Sequence, residues 1–81
     1  MIVKVLLFAG ARELAGHDVI AAKLMVNDTV AELRSRLTQN FPALAPLLAK
    51  SAIAVNHDFA EDSRVLLPGD EVAIIPPVSG G

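Results

Sequence analysis

The chain closes on a short tail, PPVSGG, whose residue types suit chemistry at its end. Pro76 and Pro77 favour an extended backbone in polyproline geometry, which holds the residues after them away from the domain. Gly80 and Gly81 have no Cβ, so they fit a channel too narrow for any other residue. Residues 78–81 can reach on the order of 12 Å beyond the prolines. The pattern predicts a tail that carries a terminal carboxylate into the active site of another protein.

The carboxylate of Gly81 is the reactive group that such a tail would present. A C-terminal carboxylate, with a pKa of about 3.5, is anionic at pH 7 and a poor electrophile. It becomes reactive only when an enzyme activates it, for example as an acyl-adenylate. The chain has no glycine-rich phosphate-binding motif with which to activate itself. We therefore expect a partner enzyme to perform the activation.

Other candidates for chemistry on this chain are weak. His17 and His57 have no carboxylates at metal-ligand spacing, and we interpret both as surface or turn residues. The serines lie in no nucleophile motif, and turn chemistry explains Asp70 better than a carboxylate pair with Glu71 does. The chain contains no cysteine, which excludes disulfides, thiolate metal sites and persulfides carried on it. We expect no bound metal and no bound cofactor.

Composition favours a protein that docks onto others. The 81 residues suffice for one domain with one small core. Hydrophobic residues make up 53% of the chain, so part of the apolar surface is expected to lie outside that core, as partner-binding sites often do. A net charge of −2, without Trp or Tyr, disfavours nucleic acid as a partner. No apolar run could span a membrane and no leader opens the chain, which predicts a cytoplasmic protein without a membrane partner.

The elements that must position the tail are predicted in the order β, β, α, β, β. Residues 2–8 have the β-rich composition of an interior strand, and residues 18–25 alternate as a second strand that pairs back on it. The glycine-bounded connector at residues 9–16 has room for one or two helical turns. Residues 52–56 predict a third strand, and residues 71–75 the last. Between these two strands we expect a loop at residues 58–64 and a type II turn at Pro68 and Gly69.

The central helix has the strongest local signals. Thr29 followed three residues later by Glu32 has the form of a capping box at its start. Pro42 disfavours helical geometry in the residue before it, so the helix should end near Phe41. A short further helix is expected within residues 43–50. The apolar stripe of the central helix recurs at helical spacing: Val30, Leu33, Leu37 and Phe41.

One helix covers only one face of such a sheet, so the other face is expected to carry exposed apolar residues and to bind a partner. The candidate partner-binding residues are Phe8, Arg12 and Phe59. Phe59 lies in a polar stretch, where an aromatic side chain is a candidate anchor. Arg12 lies in the glycine-bounded connector, where its charge is either solvated or meets an acidic partner.

Four segments carry a resemblance to a known family: FAGARELAG, TVAELRSRL, AVN and LLPGDEVAIIPPVSGG. Over nearly the whole chain they resemble the MoaD/ThiS family of ubiquitin-like sulfur carriers, and PPVSGG with ARELAG resembles in particular the small subunits of molybdopterin synthase. The resemblance implies an α+β, β-grasp fold with a mixed sheet and one main helix on one face. It implies a single domain over residues 1–81, with a flexible tail at residues 76–81. Ile75 departs from the family, since relatives often have an aromatic residue there.

The resemblance also implies how the tail would act. An E1-like enzyme would use ATP to adenylate the Gly81 carboxylate, forming a transient AMP adduct, and a sulfurtransferase would supply the sulfur of a thiocarboxylate. The loaded tail would insert into the large synthase subunit, within a heterotetramer, and donate sulfur to cyclic pyranopterin monophosphate to form the molybdopterin dithiolene. The chain would be no enzyme on its own. The inserted residues would be Gly81, Gly80, Ser79, Val78, Pro77 and Pro76.

Three other functions remain open at the level of sequence. The chain could carry sulfur to another acceptor, such as the thiazole pathway of thiamine synthesis. It could be a ubiquitin-like modifier conjugated to lysines. It could also be a β-grasp interaction module whose tail has no role. The absence of cysteine fits a carrier, because sulfur could then be held only at the terminus.

Overall fold

The computed structural model describes residues 1–77, which fold as a five-stranded sheet with helices packed on one face. Val78, Ser79, Gly80 and Gly81, on which the tail prediction rests, lie outside the described residues. The elements in chain order are β1 (Ile2–Leu7), α1 (Ala9–Ala15), β2 (Val19–Lys23), α2 (Val30–Asn40), a 3-10 turn (Pro42–Leu44), α3 (Ala45–Lys50), β3 (Ala52–Val55), β4 (Asp58–Ala60) and β5 (Glu71–Ile75).

The sheet is mixed, as predicted, with the strand order β2-β1-β5-β3-β4. β1 pairs antiparallel with β2 and parallel with β5, and β3 pairs antiparallel with both β4 and β5. The last strand therefore lies at the centre of the sheet. Pro76 and Pro77 follow β5 directly, and they therefore lie at the middle of one end of the sheet.

Strand alternation divides the sheet into a buried face and an outer face. Along β1, Val3, Val5 and Leu7 are buried against the helices, while Ile2 and Lys4 are exposed on the other side. The predicted stripe of α2 supplies the opposing layer. Its buried residues are Val30, Leu33 and Leu37, with Phe41 half-buried against the same core. None of the helices in residues 1–77 is long and apolar enough to cross a membrane.

The start of α2 confirms the predicted capping box. The Thr29 hydroxyl accepts from the Glu32 N–H at 3.4 Å, and the Glu32 carboxylate accepts from the Thr29 N–H at 3.4 Å.

Asp28 lies one residue before this capping box and is almost wholly buried. Its pKa is lowered first by hydrogen bonding with the Glu32 side chain and then by the Met25 N–H, which donates to Asp28 Oδ2 at 2.9 Å. The Met25 N–H and the positive end of the helix both favour the ionised Asp28 carboxylate.

The prediction of a loop over residues 58–64 is wrong at its start, because Asp58–Ala60 forms the edge strand β4. A two-residue turn at Asn56 and His57 joins β3 to β4, and both residues have left-handed φ values, of 50° and 73°. Paired positive φ values are typical of a type I′ turn, which is the connection that favours a tight hairpin. The sequence pattern places Asn56 in the strand and Asp58 in the loop, so it does not reveal a turn at the boundary between them.

The turn before β5 confirms its prediction. Gly69 has a φ of 86°, and the Asp70 N–H donates to the Leu67 carbonyl at 3.1 Å. These are the features of a type II turn with Pro68 and Gly69 at its centre. The turn sets the start of β5, and therefore the register of the strand that ends at the tail.

Candidate functional site

The outer face of the sheet carries a continuous row of apolar side chains. The strand register places Val19 of β2 beside Leu6 of β1, and Leu6 beside Ala73 of β5. Ala73 lies beside Ala54 of β3, which lies beside Phe59 of β4. The row crosses all five strands on the face that the helices leave uncovered. It confirms the expectation that the apolar surplus lies opposite the main helix.

A shallow cavity of about 320 Å³ opens in this face and is called the outer-face pocket here. Ala54 and Ala73 are small, so a depression forms between the larger side chains around them. Phe8 and Phe59 stand on its rim and are 46% and 77% exposed. An apolar depression surrounded by exposed aromatic residues is typical of a site that binds an apolar side chain of a partner protein. The lining residues are Leu6, Phe8, Ala54, His57, Phe59, Glu71, Ala73 and Ile75.

The outer-face pocket adjoins the point where the tail begins. Ile75, the last residue of β5, lines the pocket and pairs with Ala52 of β3. Pro76 follows it directly and is half-buried, while Pro77 is exposed. A partner that covers the pocket would therefore also contact the first tail residues.

Asn56 joins the hairpin of β3 and β4, which carries Phe59, to the turn before β5 through hydrogen bonds. The Asn56 Nδ2 donates to Asp70 Oδ1 at 2.9 Å, and its Oδ1 accepts from the Glu71 N–H at 3.0 Å. The Asn56 N–H donates to the Glu71 carbonyl at 2.8 Å. Asp70 also accepts from the Leu67 N–H at 2.8 Å, which confirms its predicted turn role. This network sets the hairpin against the strand that leads into the tail.

We expect Asn56→Ala to destabilise the domain by about 2 kcal/mol, because it removes two side-chain hydrogen bonds and places alanine at a left-handed φ. His57→Gly is the matched control. It keeps these hydrogen bonds and creates the Asn-Gly pair that type I′ turns favour, so it should leave stability unchanged or raise it. Urea unfolding of both variants checks the prediction. Equal stability of Asn56→Ala and the unsubstituted chain would contradict it.

The predicted partner-binding residues do not all lie together. Phe8 and Phe59 both line the outer-face pocket, whereas Arg12 is exposed on α1 and is not among the lining residues. Prediction from sequence missed Ala54 and Ala73, because alanine gives no signal of a binding surface. Their strand positions could have found them, since alternate residues of β3 and β5 face outward. Ile75, noted for its departure from the family, does line the pocket.

Most of the side chains that line the outer-face pocket are apolar. Within residues 1–77, no three His, Asp or Glu side chains lie close enough together to hold a metal ion. Among the residues that line the outer-face pocket, His57 is the only histidine and Glu71 is the only residue with a carboxylate.

The fold defines the class of protein. A mixed five-stranded sheet with its last strand at the centre, and one main helix across one face, is a ubiquitin-like β-grasp domain. The chain belongs to the ThiS family, which matches it over residues 5–81.

Named relatives cover nearly the whole chain. The chain is 41% identical to the molybdopterin synthase sulfur carrier subunit of Escherichia coli, over 98% of this chain and 99% of that protein. It is 39% identical to the protein of the same name from Arabidopsis thaliana, over 98% of this chain and 82% of that protein.

Solved structures agree in fold. SAMP1 from Haloferax volcanii superposes with a TM-score of 0.89 at 27% identity, over 100% of both chains. A chain from the complex of subunits 1 and 2 of the molybdopterin-converting factor of Helicobacter pylori gives a TM-score of 0.73 at 28% identity, again over 100% of both chains.

Proposed function

We propose that this chain is the sulfur carrier subunit of a molybdopterin synthase. It acts as one domain, with residues 76–81 as the tail that delivers the sulfur. The observation that carries the proposal is the set of relatives with this name that match nearly the whole chain, at 39% identity in Arabidopsis and 41% in Escherichia coli. The outer-face pocket supports it, because it places a docking surface beside the start of the tail.

In the proposed reaction, a carboxylate oxygen of Gly81 attacks the α-phosphorus of ATP, and pyrophosphate leaves. The resulting acyl-adenylate is an electrophile, which the free carboxylate is not. Sulfur at the oxidation level of sulfide then attacks the acyl carbon and displaces AMP, leaving a thiocarboxylate on Gly81. The thiocarboxylate sulfur then attacks a side-chain carbon of cyclic pyranopterin monophosphate and displaces the oxygen bonded to it, so that a C–S bond forms as a C–O bond breaks. Water attacks the acyl carbon and breaks its bond to sulfur, which leaves the sulfur on the pterin and a carboxylate on Gly81. Two such transfers form the dithiolene of molybdopterin.

Two partners are part of this proposal. An E1-like enzyme would bind ATP and adenylate the tail, so that this chain itself holds no cofactor. The large subunit of the synthase would cover the outer-face pocket and admit residues 76–81 into its active site, with two carriers in a heterotetramer. The complex that contains the Helicobacter pylori relative supports a large-subunit partner. Arg12 would lie outside the pocket, free to meet an acidic group of either partner. We place these steps in the cytoplasm.

The direct test is the intact mass of the chain after incubation with an E1-like enzyme, ATP and a sulfur donor. We expect one oxygen atom of the chain to be replaced by sulfur, and the change to map to the C-terminal peptide. Omission of ATP is the control and should leave the mass unchanged. An unchanged mass in the full reaction, when a known carrier is loaded by the same enzymes, would overturn the proposal.

Ubiquitin-like modification is a second candidate, and one comparison favours it. A structure of small archaeal modifier protein 1 from Haloferax volcanii superposes with a TM-score of 0.87 at 26% identity. A modifier would form isopeptide adducts on lysines, which mass spectrometry of cell extracts detects.

A carrier for thiazole synthesis would be loaded with sulfur in the same way as a molybdopterin carrier. The two functions are therefore distinguished by the acceptor that receives the sulfur. Dithiolene formation from the pterin precursor and large subunit supports the molybdopterin function.

A further inference from the structure

The two edges of the sheet differ in how many backbone groups they leave unpaired. At one edge, Met1 and Leu24 exchange both hydrogen bonds, with N–H to carbonyl distances of 2.7 and 2.8 Å. Hydrogen-bonded pairs alternate along an antiparallel ladder, so every second residue of β2 turns its backbone N–H and carbonyl away from β1. The residues that do so are Val19, Ala21 and Lys23.

These three residues form the free edge of β2. In the part of the chain that the structure describes, no hydrogen bond outside the strand ladders reaches their backbone groups. All three are exposed. An exposed strand with a row of unpaired donors and acceptors is complementary to another extended strand. No proline or bulge interrupts β2 to prevent such pairing.

The opposite edge is much less open. β4 has three residues, and it follows a two-residue turn flanked by the Val55 and Asp58 pair. The pair that flanks such a turn is hydrogen-bonded, and so is every second pair after it. Only Phe59 therefore turns its backbone groups outward. An added strand could therefore form more backbone hydrogen bonds at the β2 edge than at the β4 edge.

We propose that a second copy of this chain pairs antiparallel with β2, about a two-fold axis at Ala21. Ala21 of one copy would exchange both hydrogen bonds with Ala21 of the other. Val19 of each copy would pair in the same way with Lys23 of the other. This register uses every outward backbone group of both strands, in about six hydrogen bonds. It is an isologous contact, which closes at two copies.

The charge of Lys23, the last residue of β2, favours this direction. Antiparallel pairing about Ala21 places Lys23 of each copy opposite Val19 of the other and the two lysines at opposite ends of the ladder. In-register parallel pairing would place the two Lys23 side chains side by side, which like charges disfavour. The row of outward backbone groups is symmetric about Ala21, so a second copy matches it residue for residue.

The proposed dimer would leave the outer-face pocket and the start of the tail uncovered. None of the three free-edge residues lines the pocket, and β1 separates β2 from β5. The inference is independent of the proposed carrier function. A ladder of three residues from each chain is small, so we expect a dissociation constant on the order of 10⁻⁴ M.

The test is sedimentation velocity of the full chain across a concentration series up to about 1 mM, which brackets that affinity. Ala21→Pro removes the outward N–H without touching the β1 ladder, and proline is tolerated at such an edge position. Because of the symmetry, one substitution removes both hydrogen bonds of the central pair, so the dissociation constant should rise by more than about tenfold. Glu61→Ser is the control near the other edge, since Glu61 is exposed just after β4 and lines no pocket described above, and it should dimerise like the unsubstituted chain.

A residue-level measurement covers the case in which Ala21→Pro fails to fold, which circular dichroism would show. In the unsubstituted chain, the amide signals of Val19, Ala21 and Lys23 should shift with concentration in nuclear magnetic resonance spectra, while those of Ile20 and Ala22 stay nearly constant. An unsubstituted chain that remains monomeric at about 1 mM overturns the proposal, since about 10⁻⁴ M affinity would make it mostly dimeric. A folded Ala21→Pro variant that dimerises with unchanged affinity overturns it too, as do concentration-dependent shifts confined to the Phe59 edge.

Discussion

Ala73→Arg should abolish tight docking of the large synthase subunit while leaving the domain folded. Ala73 lies at the centre of the outer face, on the middle strand, between Leu6 and Ala54. Its side chain is partly exposed and points away from the helices. An arginine there would fill the outer-face pocket and place a cation where an apolar anchor of the partner should bind.

The expected loss is large because the site is central and apolar. Blocking a central hot spot and leaving a charge without a partner at an interface costs at least about 2 kcal/mol, which is about a 30-fold rise in the dissociation constant. The effect on folding should be small, since an arginine on the uncovered face can reach solvent. Isothermal titration calorimetry against the large subunit measures the first effect, and urea unfolding measures the second.

Ala31→Arg is the matched control, because Ala31 is an exposed alanine on α2, which packs against the opposite face of the sheet. It introduces the same charge and should leave binding unchanged. If Ala73→Arg binds the large subunit as tightly as Ala31→Arg does, the outer-face pocket is not the docking surface. Equal weakening by both substitutions would point instead to a general effect of added positive charge.

The elements with strong local signals were predictable from the sequence. The Thr29 and Glu32 capping box defines the start of α2, and its apolar stripe forms the predicted buried layer. The Pro68 and Gly69 turn was predictable because only a few residue types suit its central positions. β-Alternation likewise identified the buried face of β2, where Ile20 and Ala22 are buried.

The features that depend on pairing between distant segments were not predictable in the same way. β4 has three residues and joins the sheet through a turn of Asn56 and His57. Both turn residues have left-handed φ values, but neither is a glycine, so the sequence gives no clear signal of the turn. The outer-face pocket depends on the register that brings Ala54 beside Ala73. This register is set by the pairing of β3 with β5, which are distant in sequence, and local residue propensities do not predict such pairing. Resemblance to a family supplied the fold class, whereas the shape of the docking surface required the structure.

Deletion of Gly80 and Gly81 should abolish sulfur loading completely and leave the stability of the domain unchanged. On the proposed function, the Gly81 carboxylate is the group that is adenylated, and Gly80 lets the tail enter a narrow channel. The last core residue of the described chain is Ile74, so we expect the free energy of unfolding to change by less than about 0.5 kcal/mol when the two glycines are removed.

Ser79→Ala is the matched control for this deletion, since it changes the tail while keeping both glycines. It should be loaded with sulfur and should support dithiolene formation with the large subunit, whereas the shortened chain should do neither. Intact mass spectrometry and a pterin-product assay measure the two steps separately. The shortened chain should still bind the large subunit through the outer-face pocket, though more weakly, and so inhibit the reaction of the full chain. Continued dithiolene formation with the shortened chain as the only carrier would rule out a terminal thiocarboxylate as the sulfur donor.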